Sequence, residues 1–304
     1  MDKYENKVGV ALISTVMIYW GVTTVLMKHA LAYMSSTTYI MLRFTSAAVL
    51  VLLIFGRKLY QQKSKILLWH GLILGLLQII PMECTTFAMY FTSASNSVFI
   101  GQLSFIIVPL MECIMKKNLP ERRLIRTGIL LLFGLFVFSN VLNTGLNKGD
   151  MISVMSAIFN AWSILALKRF TKEDDSILLG VLQITFASII SIMVWGLNPG
   201  TVKWCAGSIN ILFFTGIIGT AVAFVVLAIG QSKTTSVNAA FLNLIQPVCA
   251  MLGAYFIADE FGNIEQITFY KIVGAFIIIG SLVMYLKESN PMVYRKRAKR
   301  KRRV

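Results

Sequence analysis

The chain consists almost entirely of long apolar stretches, which follow one another from residue 8 to residue 286. Each stretch runs for roughly 20 residues, the length at which an α-helix crosses the hydrocarbon core of a bilayer. The stretches lack the alternation of apolar and polar residues that a membrane β-barrel requires. The pattern predicts an all-α integral membrane protein with ten transmembrane helices, near residues 8–28, 37–56, 66–90, 96–115, 124–142, 151–170, 177–197, 209–230, 237–257 and 268–286.

The composition is incompatible with a fully water-exposed surface. Charged residues make up 14% of the chain, against about 25% in typical soluble domains. The first apolar stretch begins at Val8 and is longer than the core of a signal peptide, so we expect it to be retained as a helix. The four cysteines do not have the spacing of a disulfide framework or a zinc site, and we expect no metal and no cofactor.

The basic residues are distributed asymmetrically between the loops. If the N-terminus is cytoplasmic and ten helices alternate, loops and helix ends inside carry thirteen Lys and Arg residues and those outside carry four. The positive-inside rule then predicts that both termini lie in the cytoplasm, and we expect the protein to reside in the plasma membrane. The net charge of +16 thus reflects topology, and we expect no nucleic-acid partner. The basic tail, residues 288–304, either contacts anionic lipid headgroups or only fixes the topology.

The second half of the chain repeats the first about 142 positions later. Pairs related by this shift are Trp20 with Trp162, Asn96 with Asn238, and Phe99 with Phe241. Because five helices per repeat is an odd number, the second copy must be upside down, and the basic loop 116–126 accordingly corresponds to the acidic loop 259–265. We predict two inverted five-helix repeats, residues 8–142 and 150–287, with the substrate site near the bilayer midplane where they meet.

Several short motifs occur in order along the chain: Trp20-Gly21 followed by Lys28, then Leu42-Arg43-Phe44, then Gly219-Thr220-Ala221-Val222-Ala223-Phe224, and a run from Ser236 through Pro247 to Asp259-Glu260. This order resembles the drug/metabolite transporter superfamily, EamA type, over roughly residues 8–286. The resemblance implies a ten-helix carrier that moves small metabolites, frequently outward, and that is not an enzyme. The sequence departs from the family at Gln246, where the family often has Glu.

Three charged residues, Arg43, Glu83 and Glu112, stand out within predicted helices, where an ionised side chain costs at least about 2.5–3.5 kcal/mol. Glu83 follows Pro81, which removes a backbone hydrogen bond. Glu83 either binds a substrate ammonium group or a coupling proton, or it forms a structural pair with Arg43. Arg43 either holds a substrate carboxylate, extends to the outer headgroups or pairs with Glu83. Glu112, nearer the inner loop, is expected to pair with Lys116 four residues later.

The remaining candidates for substrate binding are uncharged: Trp20, Asn96, Phe99, Trp162, Gln183, Asn238, Phe241, Asn243 and Gln246. Asn243 and Gln246 precede Pro247, which we expect to break the ninth helix, so that freed carbonyls and amide groups lie together. The pairs related by the repeat either line a cavity or hold helices together. Gln183 occupies the position that corresponds to Arg43.

Together these features predict a secondary transporter that exports small metabolites, such as amino acids or related compounds, by alternating access. The sequence contains no P-loop, so ATP hydrolysis is not intrinsic. His29 and His70 are isolated in the sequence, which argues against a membrane enzyme. Multidrug efflux is the main alternative, because Met-rich and aromatic walls accept varied ligands. Sugar-phosphate exchange would require several deep cations, and a non-transporting membrane protein would require a soluble domain or a sizeable loop.

Overall fold

The computed structural model describes residues 3–62, 64–139, 147–257 and 267–289. The basic tail after Ser289 and the acidic loop 259–265 lie outside these residues. In the described residues the chain is helical, with one isolated bridge between Met34 and Val202. In chain order the helices are α1 (Lys3–Ala30), α2 (Ser36–Gln62), α3 (Lys65–Ala88), α4 (Ala94–Gly101), α5 (Ser104–Met115), α6 (Arg122–Ser139), α7 (Lys148–Phe170), α8 (Ser176–Leu197), α9 (Ala206–Leu212), a π-helix (Phe213–Val222), α10 (Ala223–Ser232), α11 (Ser236–Leu242), α12 (Ile245–Phe256) and α13 (Phe269–Ser289).

Eight segments of the described residues are long and apolar enough to cross a membrane. Three of these segments contain an interruption or a change of helix type: α4 with α5, α9 through α10, and α11 with α12. The prediction of an all-helical membrane protein is confirmed. The helix ends agree with the prediction to within three residues, except that α1 begins five residues earlier and α2 ends six residues later. Both extensions contain Lys, Glu, Arg or Gln, which continue a helix readily outside the apolar core.

The described helices divide into two compact units, residues 1–108 with 146–266 and residues 109–145 with 267–304. In the second unit, α6 packs against α13. A Cβ atom at Gly274 would lie 2.6 Å from the Phe138 Cβ atom, so a glycine is needed for this close approach. The predicted ion pair between Glu112 and Lys116 is confirmed, with a separation of 2.6 Å.

The helix ends of the first unit form two sets. At one end, Lys58 pairs with Asp175 at 2.8 Å and His70 pairs with Asp174. At the other end, the Lys203 backbone amide donates to a carbonyl in the turn after α1 at 2.9 Å. This grouping is the one expected when successive membrane helices alternate in direction.

Asp175 also begins α8, because its side chain accepts hydrogen bonds from the backbone amides of Ile177 and Leu178. Burial raises the pKa of this carboxyl group, but hydrogen bonds from Lys58 and from the two amides lower it by more. The net result is a pKa below the ordinary value for aspartate. Asp175 is therefore ionised near neutral pH and ties the end of α2 to the start of α8.

Candidate functional site

A cavity of about 120 Å³ lies inside the first unit. Helices α1, α2, α3, α4, α7, α8, α10 and α12 contribute side chains to its wall. An engineered cavity of about 150 Å³ binds benzene, so this volume suits a small molecule. Five residues predicted from the sequence line the cavity together: Trp20, Arg43, Gln183, Asn243 and Gln246. The structure therefore brings together candidates from both halves of the chain.

Arg43 is the one ionisable residue among those that line the cavity. It is 3% exposed, so its side chain is covered by protein and does not extend to outer headgroups. Its guanidinium lies 6.0 Å from the ring centres of Tyr39 and Phe44. Within the described part of the chain, no carboxylate lies within ion-pair distance of it, so the predicted pair with Glu83 is not formed. Arg43 is a buried cation that has no carboxylate partner among the described residues.

The π-helix Phe213–Val222 determines how Arg43 is held. Its hydrogen bonds span five residues, and such segments frequently occur at functional sites. The Thr220 hydroxyl accepts from Arg43 Nε at 2.7 Å and donates to the Thr215 carbonyl, five residues earlier, at 2.8 Å. A Cβ atom at Gly216 would lie 3.2 Å from the Arg43 carbonyl oxygen. The close approach of α2 and the wider helical turn together bring Thr220 to Arg43.

Trp20 and Trp162 occupy corresponding positions in the repeat but have different environments. Trp20 lines the cavity, and its Nε1 donates to the Gly219 carbonyl oxygen at 2.6 Å. Its ring packs against Phe224 with 5.0 Å between centroids. Trp162 is 52% exposed and is not among the lining residues. Of the two tryptophans that the repeat relates, Trp20 therefore lines the cavity and Trp162 lies on an exposed face of α7.

This difference gives a matched pair of variants. We expect Trp20→Phe to lower the free energy of unfolding by roughly 0.6–1.7 kcal/mol, the range for interhelical hydrogen bonds in membranes, and to reduce transport. Trp162→Phe should stay within about 0.5 kcal/mol of the wild type. Thermal unfolding in detergent and flux into vesicles would measure both effects. Equal effects of the two substitutions would contradict the assignment of Trp20 to the cavity.

Two membrane segments are interrupted at the cavity. Between α4 and α5, and again between α11 and α12, the backbone changes to hydrogen bonds that span three residues. Gln102 lies in the first interruption and Asn243 in the second, and both line the cavity. The two interruptions occur at positions related by the sequence repeat. The break expected near Pro247 is present three residues earlier, and Pro247 lies in the first turn of α12, where proline is tolerated.

Several lining amides were not anticipated from the sequence. Gln183 Nε2 donates to Gln78 Oε1 at 3.0 Å, which joins α8 to α3. Asn160 Nδ2 donates to the Ser104 hydroxyl at 3.4 Å. Gln231, near the end of α10, also lines the cavity. In the sequence, these residues are visible only as isolated amides within apolar helices, and that pattern does not show which face of a helix lines the cavity.

Glu83 is not among the residues that line the cavity. It shares a face of α3 with Leu76 and Phe87, which are 43% and 46% exposed. Its Oε1 is buried and has no hydrogen-bond partner among the described residues. The backbone break expected beside it is absent, since α3 continues through Pro81 from Lys65 to Ala88. The face of α3 that lines the cavity instead carries Gln78, Met82 and Thr85.

The four repeat-related candidates on the fourth and ninth predicted helices are also outside the cavity wall: Asn96, Phe99, Asn238 and Phe241. Phe241 is 1% exposed and packs against Phe105, with 5.7 Å between ring centroids. Asn238 Nδ2 donates to Thr234 Oγ1 at 3.3 Å and to Asn6 Oδ1 at 3.5 Å. Phe241 and Asn238 thus form packing and hydrogen-bonding contacts between helices, one of the two roles expected for the repeat-related pairs.

Taken together, the fold and the site define a multi-pass membrane protein with an internal cavity lined by both polar and apolar side chains. A model of the EamA-like transporter family matches residues 7–140 and 147–287, and the chain therefore belongs to this family. An uncharacterized transporter from Archaeoglobus fulgidus is 24% identical over 276 residues, which are 91% of this chain and 84% of the relative. A solved crystal structure of another protein shares the fold, with a TM-score of 0.69, 14% identity and coverage of 91% of this chain and 96% of its own. Family membership makes the protein a membrane transporter.

Proposed function

We propose that this protein exports small carboxylate-bearing metabolites, such as amino acids or related compounds, across the plasma membrane by alternating access. The proposal rests mainly on Arg43. This residue lines the cavity, is only 3% exposed, and has no carboxylate partner among the described residues. A buried ion retains a penalty of several kcal/mol unless it is paired. A substrate carboxylate would supply that pair with a charge-assisted, two-pronged hydrogen bond.

We also propose that the protein has ten spans arranged as two inverted five-helix repeats, with both termini cytoplasmic. Three observations support this topology. The helix interruptions at Gln102 and Asn243 fall at positions related by the repeat. In the first unit, the end of α2 and the start of α3 both contact the loop before α8, as expected when successive spans alternate in direction. The loops predicted to face the cytoplasm carry most of the basic residues.

The other transport classes receive less support. A sugar phosphate is dianionic and would need several cationic side chains to bind it, whereas Arg43 is the only cation among the residues that line the cavity. Efflux of varied amphiphiles is the second candidate, because Met17, Met27 and Met82 all line the cavity and flexible methionine surfaces adapt to different ligands. One carboxylate-bearing compound class would support the first proposal, and a structurally mixed set of exported compounds would support the second.

The test of the proposed function compares three cell lines: empty vector, wild-type protein and Arg43→Met. We expect one class of carboxylate compounds to accumulate outside only the wild-type cells, while the variant remains in the membrane at the same level. Purified protein in vesicles should then transport the same compound with saturable kinetics. Accumulation of uncharged or cationic compounds that is unaffected by Arg43→Met would overturn the proposal.

Glu83 is the residue that we propose for proton coupling, although it does not line the cavity. A carboxyl group in apolar surroundings takes up a proton readily, and the unpartnered Oε1 of Glu83 leaves that oxygen available. We expect Glu83→Gln to lose substrate accumulation driven by a pH gradient and to retain exchange of substrate for substrate. Counterflow in vesicles at equal pH provides the control. Unchanged gradient-driven accumulation in the variant would exclude Glu83 from coupling.

A further inference from the structure

Four amide oxygens in the cavity wall lack hydrogen-bond partners. They are Gln102 Oε1, Gln183 Oε1, Gln231 Oε1 and Asn243 Oδ1. Each residue is at most 7% exposed. A buried acceptor without a donor costs about 1–3 kcal/mol, and buried polar groups in proteins are nearly always paired. Four such acceptors around one small cavity indicate a ligand that donates several hydrogen bonds.

Two of these oxygens belong to the helix interruptions. Gln102 follows α4 and Asn243 follows α11, and α4 packs directly against α12. Asn160, on α7, donates to Ser104, two residues after Gln102, so a third lining amide adjoins the first interruption. Interrupted membrane helices are where carriers commonly bind polar and charged groups, because the interruption leaves backbone groups and helix ends free at membrane depth.

The chemistry of this amide set favours a cationic donor. Among the lining residues there are amides and hydroxyls but no carboxylate. An ammonium group has three hydrogen-bond donors and no acceptor. It can therefore donate to a set of amide carbonyl oxygens but cannot hydrogen-bond to the guanidinium of Arg43, which has only donors. A ligand with a carboxylate at Arg43 and an ammonium at the amides would satisfy both features of the cavity, and a zwitterion adds no net charge to it.

We infer that Gln102 and Asn243 form a neutral subsite for the ammonium group of a zwitterionic substrate. The inference rests on the proposed function, since it assumes a substrate carboxylate at Arg43. It assigns recognition of the amine to amide oxygens at the two helix interruptions and gives no part in it to Glu83. Free Na⁺ has a similar preference for carbonyl oxygens, and the experiment separates these two sources of positive charge.

The experiment measures binding to the purified protein by calorimetry. The probes are L-leucine and 2-hydroxy-4-methylpentanoate, in which a hydroxyl replaces the ammonium group, and leucine is chosen because Met17, Ile164 and Leu227 line the cavity. We expect the wild type to bind L-leucine at least about tenfold more tightly, because hydrogen bonds to a charged group contribute about 1.5–3 kcal/mol. Gln102→Leu and Asn243→Leu should remove this preference while preserving binding of the hydroxy acid.

A gain-of-function variant keeps the test decisive if the leucine variants unfold. Gln102→Glu places a negative charge in the subsite and should increase the preference for L-leucine. The exposed Asn210 supplies the control, and Asn210→Leu should leave the preference unchanged. Equal binding of both probes by the wild type would overturn the subsite and leave the carboxylate proposal standing. Tighter binding of the hydroxy acid in NaCl than in choline chloride would assign the amides to Na⁺ and also overturn the inference.

Discussion

Replacing Arg43 with methionine is expected to raise the melting temperature of the substrate-free protein and to abolish carboxylate transport. The two effects have opposite signs because Arg43 is a buried cation with no carboxylate partner among the described residues. Exchanging a whole buried ion pair for apolar residues of similar volume is often neutral or stabilising by about 1–4 kcal/mol, because the cost of removing the charges from water is relieved, and the same relief applies to an unpaired buried cation. Transport falls because charge-assisted hydrogen bonds to the substrate, each contributing about 1.5–3 kcal/mol, are lost.

Two further variants separate binding from structure. Arg43→Lys keeps the charge but loses the planar, two-pronged donor, so we expect a weaker substrate affinity and residual flux. Arg57→Met removes an exposed arginine near the end of α2 and should change neither property. Thermal unfolding in detergent and flux in vesicles are the measurements. A lower melting temperature for Arg43→Met would mean that contacts such as the hydrogen bond to Thr220 outweigh the cost of burying the charge, and it would contradict the view that Arg43 awaits a substrate carboxylate.

Replacing Gly21 with alanine is expected to destabilise the protein by about 1–3 kcal/mol, the usual cost of overpacking, and to impair transport. A Cβ atom at Gly21 would lie 2.4 Å from the Cys249 Cβ atom and 2.5 Å from the Gln246 carbonyl oxygen. One of these atoms is backbone, so α1 and α12 must separate to admit the methyl group. Gln246 lines the cavity, and this separation would therefore alter the site as well as the packing.

Gly56 provides the matched control for Gly21. It also lies within a helix, α2, but a Cβ atom there would meet nothing within 4 Å. Gly56→Ala should leave transport unchanged and stabilise the protein slightly, because alanine exceeds glycine in helix propensity by about 0.8–1.0 kcal/mol. The melting temperatures of the two alanine variants would test the difference. A Gly21→Ala protein as stable as Gly56→Ala would show that α1 and α12 do not require the close approach.

The sequence predicted the helices well because each one is a local property. A segment in the hydrocarbon core must satisfy its own backbone hydrogen bonds, so an apolar stretch of sufficient length becomes a helix whatever its neighbours are. The bounds of α8, Ser176–Leu197, lie within one residue of the predicted 177–197. The long π-helix had no such signal, since nothing in the apolar run Phe213–Val222 distinguishes a five-residue from a four-residue hydrogen-bond spacing.

The site was predicted in part, and the failures have a common cause. Arg43 was identified because a charged side chain within a membrane span is costly and therefore usually marks a functional site. Glu83 satisfies the same criterion, yet it lies on the face of α3 opposite Gln78. The repeat related Trp20 to Trp162 correctly in sequence, but only Trp20 lines the cavity. When apolar residues occupy every face of a helix, the sequence does not show whether its few polar side chains face the cavity or the lipid.

The sequence by itself determined that the chain spans the membrane several times and belongs among carriers with repeated halves, because length, hydropathy and motif order are properties of the chain alone. Tertiary structure decided which polar groups share the cavity. Thr220 contacts Arg43 across 177 positions, and Gln183 contacts Gln78 across 105. Such contacts depend on the rotation of each helix about its axis, which close packing between neighbouring helices sets and local sequence does not.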